Sequence, residues 1–275
     1  MSAQETLQVL LTQDAPRRLD AGDHPDVVDG YRPPHLARRP RPERGSAEGG
    51  DDPFAFADTA YPWSAIGRVH VPGGWSSGVL VGPRHVLTAA HVVPWTRADG
   101  RVGAAGGVRF VPGSFDGLEP FGSAAAVAVY AVAPTDPPSI DATEERIDYA
   151  VCVLARPVGL ETGWLGVRAY RDAWDGVAHW CLVGYRGDPA TGVRPRYQEG
   201  IVLDGCDDQE DCHQVIYHAG DVHPGQSGGP VFGWWDGEDF PRVVAVQSWG
   251  WPGRAGASGG DRLVDLVIRA RRDHP

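Results

Sequence analysis

One serine of this chain sits where a nucleophile would. Gly225-Gln226-Ser227-Gly228-Gly229-Pro230 surrounds it with glycines, and each missing Cβ lets another backbone or a substrate come close. Were Ser227 to attack a carbonyl, the backbone N–H groups of Gly225 and Ser227 could converge on the oxygen that turns negative, as an oxyanion hole. A serine hydroxyl is too weak a nucleophile alone. It needs an imidazole to take its proton and a carboxylate to fix that imidazole's tautomer. Both candidates lie upstream. Val86-Leu87-Thr88-Ala89-Ala90-His91-Val92-Val93 delivers His91 at the end of an apolar, strand-like run, and in Arg146-Ile147-Asp148-Tyr149-Ala150-Val151-Cys152-Val153-Leu154 the carboxylate Asp148 opens a run apolar enough for a buried strand. Asp136 and Asp141 compete with Asp148, but their proline-rich stretch offers no rigid element to fix a side chain.

A histidine at a strand end, or an isolated G-x-S-G-G turn, is more often structural than catalytic. Their joint occurrence in the order His, Asp, Ser points to a catalytic triad: Ser227 attacks, His91 takes and returns the proton, and Asp148 orients the imidazole. The serine also fits the G-x-S-x-G elbow of α/β-hydrolases, which requires a following helix and then Asp and His. Here Pro230-Val231-Phe232 follows and reads as a strand, while the one later histidine is His274 beside the terminal proline.

The elements that must position these groups read as short apolar strands punctuated by Gly and Pro, the pattern of an antiparallel barrel or sandwich. A first set comprises Ile66 to Val71, Gly78 to Val81, Val108 to Val111, Ala124 to Val132 and Ala150 to Leu154. A second comprises Trp180 to Gly184, Tyr197 to Val202, Gln214 to Tyr217, Gly229 to Phe232 and Val243 to Trp249. The chain divides into an N-terminal extension (1–58), a first barrel (59–158), a linker (159–170), a second barrel (171–260) and a C-terminal helix (261–275). In the last of these, Leu263, Leu266, Val267 and Ala270 recur at helical spacing, with acids early and arginines late, matching the helix dipole.

The extension carries a proline- and arginine-rich stretch, Tyr31 to Arg44, and an acidic, small-residue stretch, Gly45 to Asp52. Neither can bury much surface alone, so the expectation is a disordered tail or a pro-segment whose removal leaves a folded enzyme. No secretory-signal pattern and no apolar run of membrane-spanning length is visible. The 275 residues carry a formal net charge of −11, which argues against a nucleic-acid footprint. Every basic side chain is Arg, a compositional bias with little bearing on function.

Cys206 and Cys212 enclose an acidic loop short enough for a local disulfide in an oxidising compartment, whereas Cys152 and Cys181 lie inside apolar strands as ordinary buried residues. Cys206, Cys212, His213, His218 and His223 match no zinc framework in their spacing. The acidic loop lacks the alternating ligands of a calcium loop. No cofactor or metal is expected.

Thr88-Ala89-Ala90-His91 and Gly225-Gln226-Ser227-Gly228-Gly229-Pro230 resemble the chymotrypsin-like serine peptidases, most closely the bacterial branch that includes the glutamyl endopeptidases. So do Ser76-Ser77-Gly78-Val79-Leu80-Val81 and Val243-Val244-Ala245-Val246-Gln247-Ser248-Trp249-Gly250. The resemblance runs from about Tyr61 to the C-terminus. It implies an all-β fold of two antiparallel β-barrels of chymotrypsin type packed together with a C-terminal α-helix. The activity it implies is that of a serine endopeptidase working through an acyl-enzyme on polypeptide substrates, as a monomer without nucleic-acid or membrane partners. Secretion is the localisation the resemblance favours. A catalytically silent peptide-binding module of the same fold and an intracellular signalling peptidase are the alternatives. By the same resemblance, Ser248-Trp249-Gly250 pairs with the substrate backbone as an added strand. Asp221, six residues before Ser227, and Val222 beside it fall at the primary pocket; a carboxylate at its floor implies cleavage after Arg or Lys, with a small or uncharged residue next and glutamate last, since Val222 and Gln247-Ser248 replace the threonine and histidine that would hold a glutamate. Trypsin-type zymogens carry an Asp just before the nucleophile to pair with a new N-terminus. Here that position is Gln226, which cannot form the ion pair.

Overall fold

The computed structural model of the protein describes residues 27–43, 53–94, 107–133, 144–188, 190, 193–205, 214–251 and 253–275. Two short strands come first, β1 (Val27–Val28) and β2 (Phe54–Ala55). Six strands then close a barrel: β3 (Ile66–Val71), β4 (Gly74–Gly82), β5 (His85–Thr88), β6 (Arg109–Pro112), β7 (Ala124–Ala131) and β8 (Ala150–Leu154), in spatial order β3-β4-β5-β8-β7-β6, with β6 returning to β3. After β9 (Gly166–Arg168) come β10 (Ala178–Tyr185), β11 (Pro195–Gly205), β12 (Gln214–His218), β13 (Pro230–Gly233), β14 (Arg242–Trp251) and β15 (Arg254–Gly259). Their order β14-β13-β10-β11-β12-β15, closed by β14 against β15, makes a second six-stranded antiparallel barrel. Closure leaves neither six-stranded ring with an open edge, although β9 and β1 continue the second sheet beyond β14. The fold is therefore the two-barrel, all-β fold of chymotrypsin type expected from the sequence.

Composition explains the two cores. Val79, Leu80, Val81, Leu87, Val151 and Leu154 are fully buried in the first barrel, where β-branched and aliphatic side chains suit a pleated surface covered on both sides. The second is built on aromatics: Trp180 stands within 5.5–5.9 Å of the rings of Tyr170, Trp174 and Trp235 at tilted or edge-on angles. The helix Asp261–Asp273 buries Leu263, Val264, Leu266, Val267 and Ala270, the apolar face read from the sequence. It returns to the first barrel, where His85 of β5 meets the Ala270 carbonyl at 3.2 Å.

Two expectations need correction. Residues 27–43 and 53–58, read as a disordered tail or a pro-segment, are not a disordered tail: they lie on the folded body. β1 pairs with β9, β2 pairs with β11, and Tyr31 bridges to Trp164 as Arg38 does to Tyr61. Phe54 and Phe56 are buried, with Phe56 set edge-on to Trp63 and Phe54 to Tyr197. The extension's apolar residues are too sparse to form a core of their own, but they complete one that the second barrel already offers. The linker 159–170 is not bare either. It holds a helical turn, Gly159–Thr162, and β9, which extends the second sheet beside β14.

Cys152 and Cys181 are buried thiols, not a bridge; burial pushes Cys152 up to about 12, and Cys181 Sγ lies 3.4 Å from the Tyr197 hydroxyl. The Cys206–Cys212 pairing lies outside the described residues, as do Asp136, Asp141 and His213. Among the described residues no helix is long and apolar enough to cross a membrane.

Candidate active site

Strand register brings His91 and Asp148 together. β5 and β8 run antiparallel with Thr88 opposite Ala150, so the chain leaving β5 and the chain entering β8 occupy the same end of the first barrel. Ala90–Val92 forms a single 3₁₀ turn that presents His91, whose side chain is 17% exposed, towards the buried Asp148. Asp148 accepts the His91 backbone N–H on Oδ1 at 2.8 Å and meets the imidazole Nδ1 with Oδ2 at 2.7 Å. The Ser248 hydroxyl donates to the same Oδ2. Burial pushes the Asp148 carboxyl up, but the His91 hydrogen bond and charge and the Ser248 hydroxyl together outweigh it, and the group is held below the usual carboxylate range. An ionised carboxylate must receive a proton donor, so the neutral imidazole facing it carries its hydrogen on Nδ1. Nε2 is then the basic nitrogen.

Ser227 comes from the second barrel, on the turn that enters β13. Its Oγ lies 3.4 Å from the Ser248 carbonyl oxygen, so Ser248 touches both the carboxylate and the serine through opposite ends of one residue. Glycine is required around it. Gly228 has φ +77°, and a Cβ there would stand 2.1 Å from Thr88 Oγ1 and 2.3 Å from the Ser77 carbonyl; Gly225, at φ +92°, would drive a Cβ to within 2.3 Å of Gly187 N. Among the described residues the N–H groups of Gly225 and Ser227 have no acceptor within the protein, while those of Gln226, Gly228 and Gly229 do. Gln226 is buried, and its Oε1 accepts the His223 N–H at 2.6 Å, closing the turn where an aspartate would need a cationic partner.

Sequence reasoning gave Ser76 and Ser77 no role beyond motif residues. Ser76 Oγ donates to the Ser227 carbonyl at 2.7 Å, and Ser77 donates its backbone N–H to that carbonyl at 3.0 Å and its hydroxyl to the Gly225 carbonyl at 2.9 Å. Ser77 Oγ in turn accepts the Tyr185 N–H at 2.8 Å. The first barrel thus grips both carbonyls that flank Gln226. Two adjacent hydroxyls interrupting an otherwise apolar strand were the available signal.

Beside Ser227 opens a cleft of about 180 Å³ lined by Val222, His223, Pro224, Gln247, Ser248, Trp249 and Gly250. Val222, Ser248, Trp249 and Gly250 were expected here. Trp249 also lies flat on Gly256, where a Cβ would come within 2.4 Å of its ring, and Val222 fills the space that a side chain at Gly250 would need. Asp221 corrects the expectation of a charged floor. Its side chain is 53% exposed and lies off the cleft, with Arg186 at 3.7 Å and His223 at 3.4 Å. A carboxylate is solvated better by water and cations than by a cleft lined with Val222, Pro224 and Trp249, and the chain turns it outwards.

The family model described as a trypsin-like peptidase domain matches residues 76–257. A glutamyl endopeptidase of Bacillus licheniformis is 27% identical over 188 residues, which cover 68% of this chain and 54% of that protein. The chain thus spans about half the length of this curated relative. A Glu endopeptidase solved in complex with MPD superposes with a TM-score of 0.63 at 21% identity, covering 82% of this chain and 99% of that one. The protease Anisep from Arthrobacter nicotinovorans gives 0.58 at 19%, covering 78% and 98%. Both structural likenesses speak for the fold.

Proposed function

The chain belongs to the trypsin-like peptidase family, and we propose from this premise that it is a serine endopeptidase that hydrolyses peptide bonds through an acyl-enzyme on Ser227. One observation carries the reading: an ionised, buried Asp148 fixes His91 with Nε2 as the basic nitrogen, and the same Ser248 that holds Asp148 touches Ser227. In the first step Ser227 Oγ attacks the substrate carbonyl while His91 Nε2 takes the hydroxyl proton, and the imidazolium that forms is stabilised by Asp148. Negative charge gathers on the former carbonyl oxygen, within reach of the Gly225 and Ser227 N–H groups, whose own peptide carbonyls, Pro224 and Gln226, are held by the Gly187 and Gly229 N–H groups at 2.7 and 2.9 Å, so that little reorientation is needed. Collapse breaks the C–N bond, the amine leaves with the proton from His91, and water, deprotonated by the same imidazole, releases the acid. Ser248-Trp249-Gly250 supplies backbone to the substrate strand.

Treating the protein with a fluorophosphonate and mapping the adduct tests this directly. Labelling at Ser227 that disappears in Ser227→Ala is the expected result. A label elsewhere, or none on folded protein, would overturn the assignment.

A further inference from the structure

The cleft beside Ser227 has a floor whose hydrogen bonds are saturated and whose charge is zero. Gln247 is buried there, and its carboxamide makes three contacts. Its Oε1 meets His218 Nε2 at 2.9 Å, and its Nε2 reaches the Trp249 carbonyl at 2.7 Å and the Gly256 carbonyl at 3.3 Å. His218 in turn meets the Gly220 backbone N–H at Nδ1, 3.1 Å away. A backbone N–H can only donate, so Nδ1 of His218 is an acceptor and its hydrogen sits on Nε2. That hydrogen must go to an oxygen, which sets Gln247 with Oε1 towards His218 and its two N–H groups towards the two carbonyls. The relay runs one way, from Gly220 through His218 and Gln247 to Trp249 and Gly256, and every member is neutral. Burial also pulls His218 down to about 4, against the hydrogen bond with Gln247 that raises it.

A substrate side chain entering this cleft therefore meets no donor from Gln247 for a carboxylate and no anion for a cation. His223 lines the cleft with its Nε2 3.4 Å from Asp221, and Arg186 stands 3.7 Å from the same carboxylate outside the lining. Burying an unmatched charge is strongly unfavourable, so a neutral floor selects by exclusion. We infer that Gln247, locked by His218, is the specificity-determining residue of this cleft, and that the enzyme cleaves after uncharged, apolar side chains. The inference rests on the proposed peptidase activity, and it departs from a preference for Arg or Lys as well as from one for Glu.

A library of peptides differing in the residue before the scissile bond separates the outcomes, run on protein shown to take a fluorophosphonate at Ser227. Apolar residues are expected to exceed Glu, Asp, Arg and Lys by at least about 100-fold in kcat/KM, the scale of two or three kcal/mol of lost solvation. Gln247→Glu places an anion at the floor and should raise the ratio of Arg to Leu cleavage by 10-fold or more, which a merely structural residue would not do. Should that variant fail to fold, peptide phosphonates differing only in that residue give the same ranking by their rates of inactivating the unaltered enzyme. Labelling at Ser227 together with a preference for charged residues would overturn the inference and leave the peptidase assignment standing. Absence of labelling would remove the assignment itself.

Discussion

At the scale of single residues, Asp148 does work that neither His91 nor Ser227 could do alone. It accepts from His91 twice and from Ser248 once, and its charge survives burial because those three donors surround it. Asp148→Asn replaces an obligate acceptor by an amide whose N–H₂ can face Nδ1, which then holds the imidazole in the tautomer with Nε2 protonated and useless as a base. Turnover is expected to fall on the order of 10⁴-fold in kcat with the fold intact, measured by steady-state kinetics alongside circular dichroism. An Asn variant with near-normal kcat would move the orienting role to another carboxylate. The three members of the proposed triad were legible as candidates because each is tied to a local pattern of sequence: a strand end, a strand start and a glycine turn. Ser248's double contact was not, since nothing in Gln247-Ser248-Trp249 tells which way a hydroxyl turns. Asp221 was misread for the same reason. Its distance along the chain from Ser227 is fixed by the sequence, but the orientation of its side chain is decided by what solvates it.

Among elements, strands that carry an apolar pattern could be read, the alanine-rich β7 included, and a strand without one could not. β3 and β8 fall where the apolar pattern puts them, at Ile66–Val71 and Ala150–Leu154. β15, Arg-Ala-Gly-Ala-Ser-Gly, carries no such pattern and owes its place to partners. It pairs with β12 on one side and β14 on the other, and its Gly256 leaves room for Trp249. β1 and β2 are two-residue strands that flank the polar, proline-rich stretch, too short to carry a local signal. Their anchoring is nonlocal: Phe56 is 1% exposed against Trp63, and Arg41 reaches Glu199 through Nε at 3.0 Å. The aromatic contact matters more, because exposed ion pairs contribute less than about 1 kcal/mol. Phe56→Ala should destabilise the protein by roughly 3–5 kcal/mol through the lost burial and the cavity left behind. Truncation before residue 59 should cost more still, while truncation before residue 27 spares every described contact. Urea unfolding of the three variants checks the ranking, and a full-strength Phe56→Ala would return this segment to the status of a dispensable tail.

For the whole molecule, the two barrels share a site because each holds half of it, and they share a pH limit through two histidines kept neutral far from solvent. His85 lies between the first barrel and the C-terminal helix, where burial pulls it down to about 4 despite the Ala270 carbonyl, with Arg271, His274 and Arg84 adding to the depression. His218 sits in the second barrel, likewise pulled down to about 4 by burial. Unfolding returns both to about 6.5. Between these values the unfolded chain binds more protons than the folded one, so stability is fully present above about pH 6.5 and is lost as pH falls towards 4. Asp148 acts in a lower window. Its folded carboxyl is held below the ordinary range, so its contribution stays until pH drops through that range and does not mask the histidines. Each histidine shift corresponds to about 3 kcal/mol, and with both titrating the slope of unfolding free energy against pH is roughly 2 to 3 kcal/mol per unit near pH 5. Urea titrations at pH 7, 5.5 and 4.5 should show this fall, and His85→Gln, which cannot be protonated, should flatten it by about half. A wild-type stability unchanged across that range would mean that the two imidazoles take up protons inside the fold as readily as in the unfolded chain.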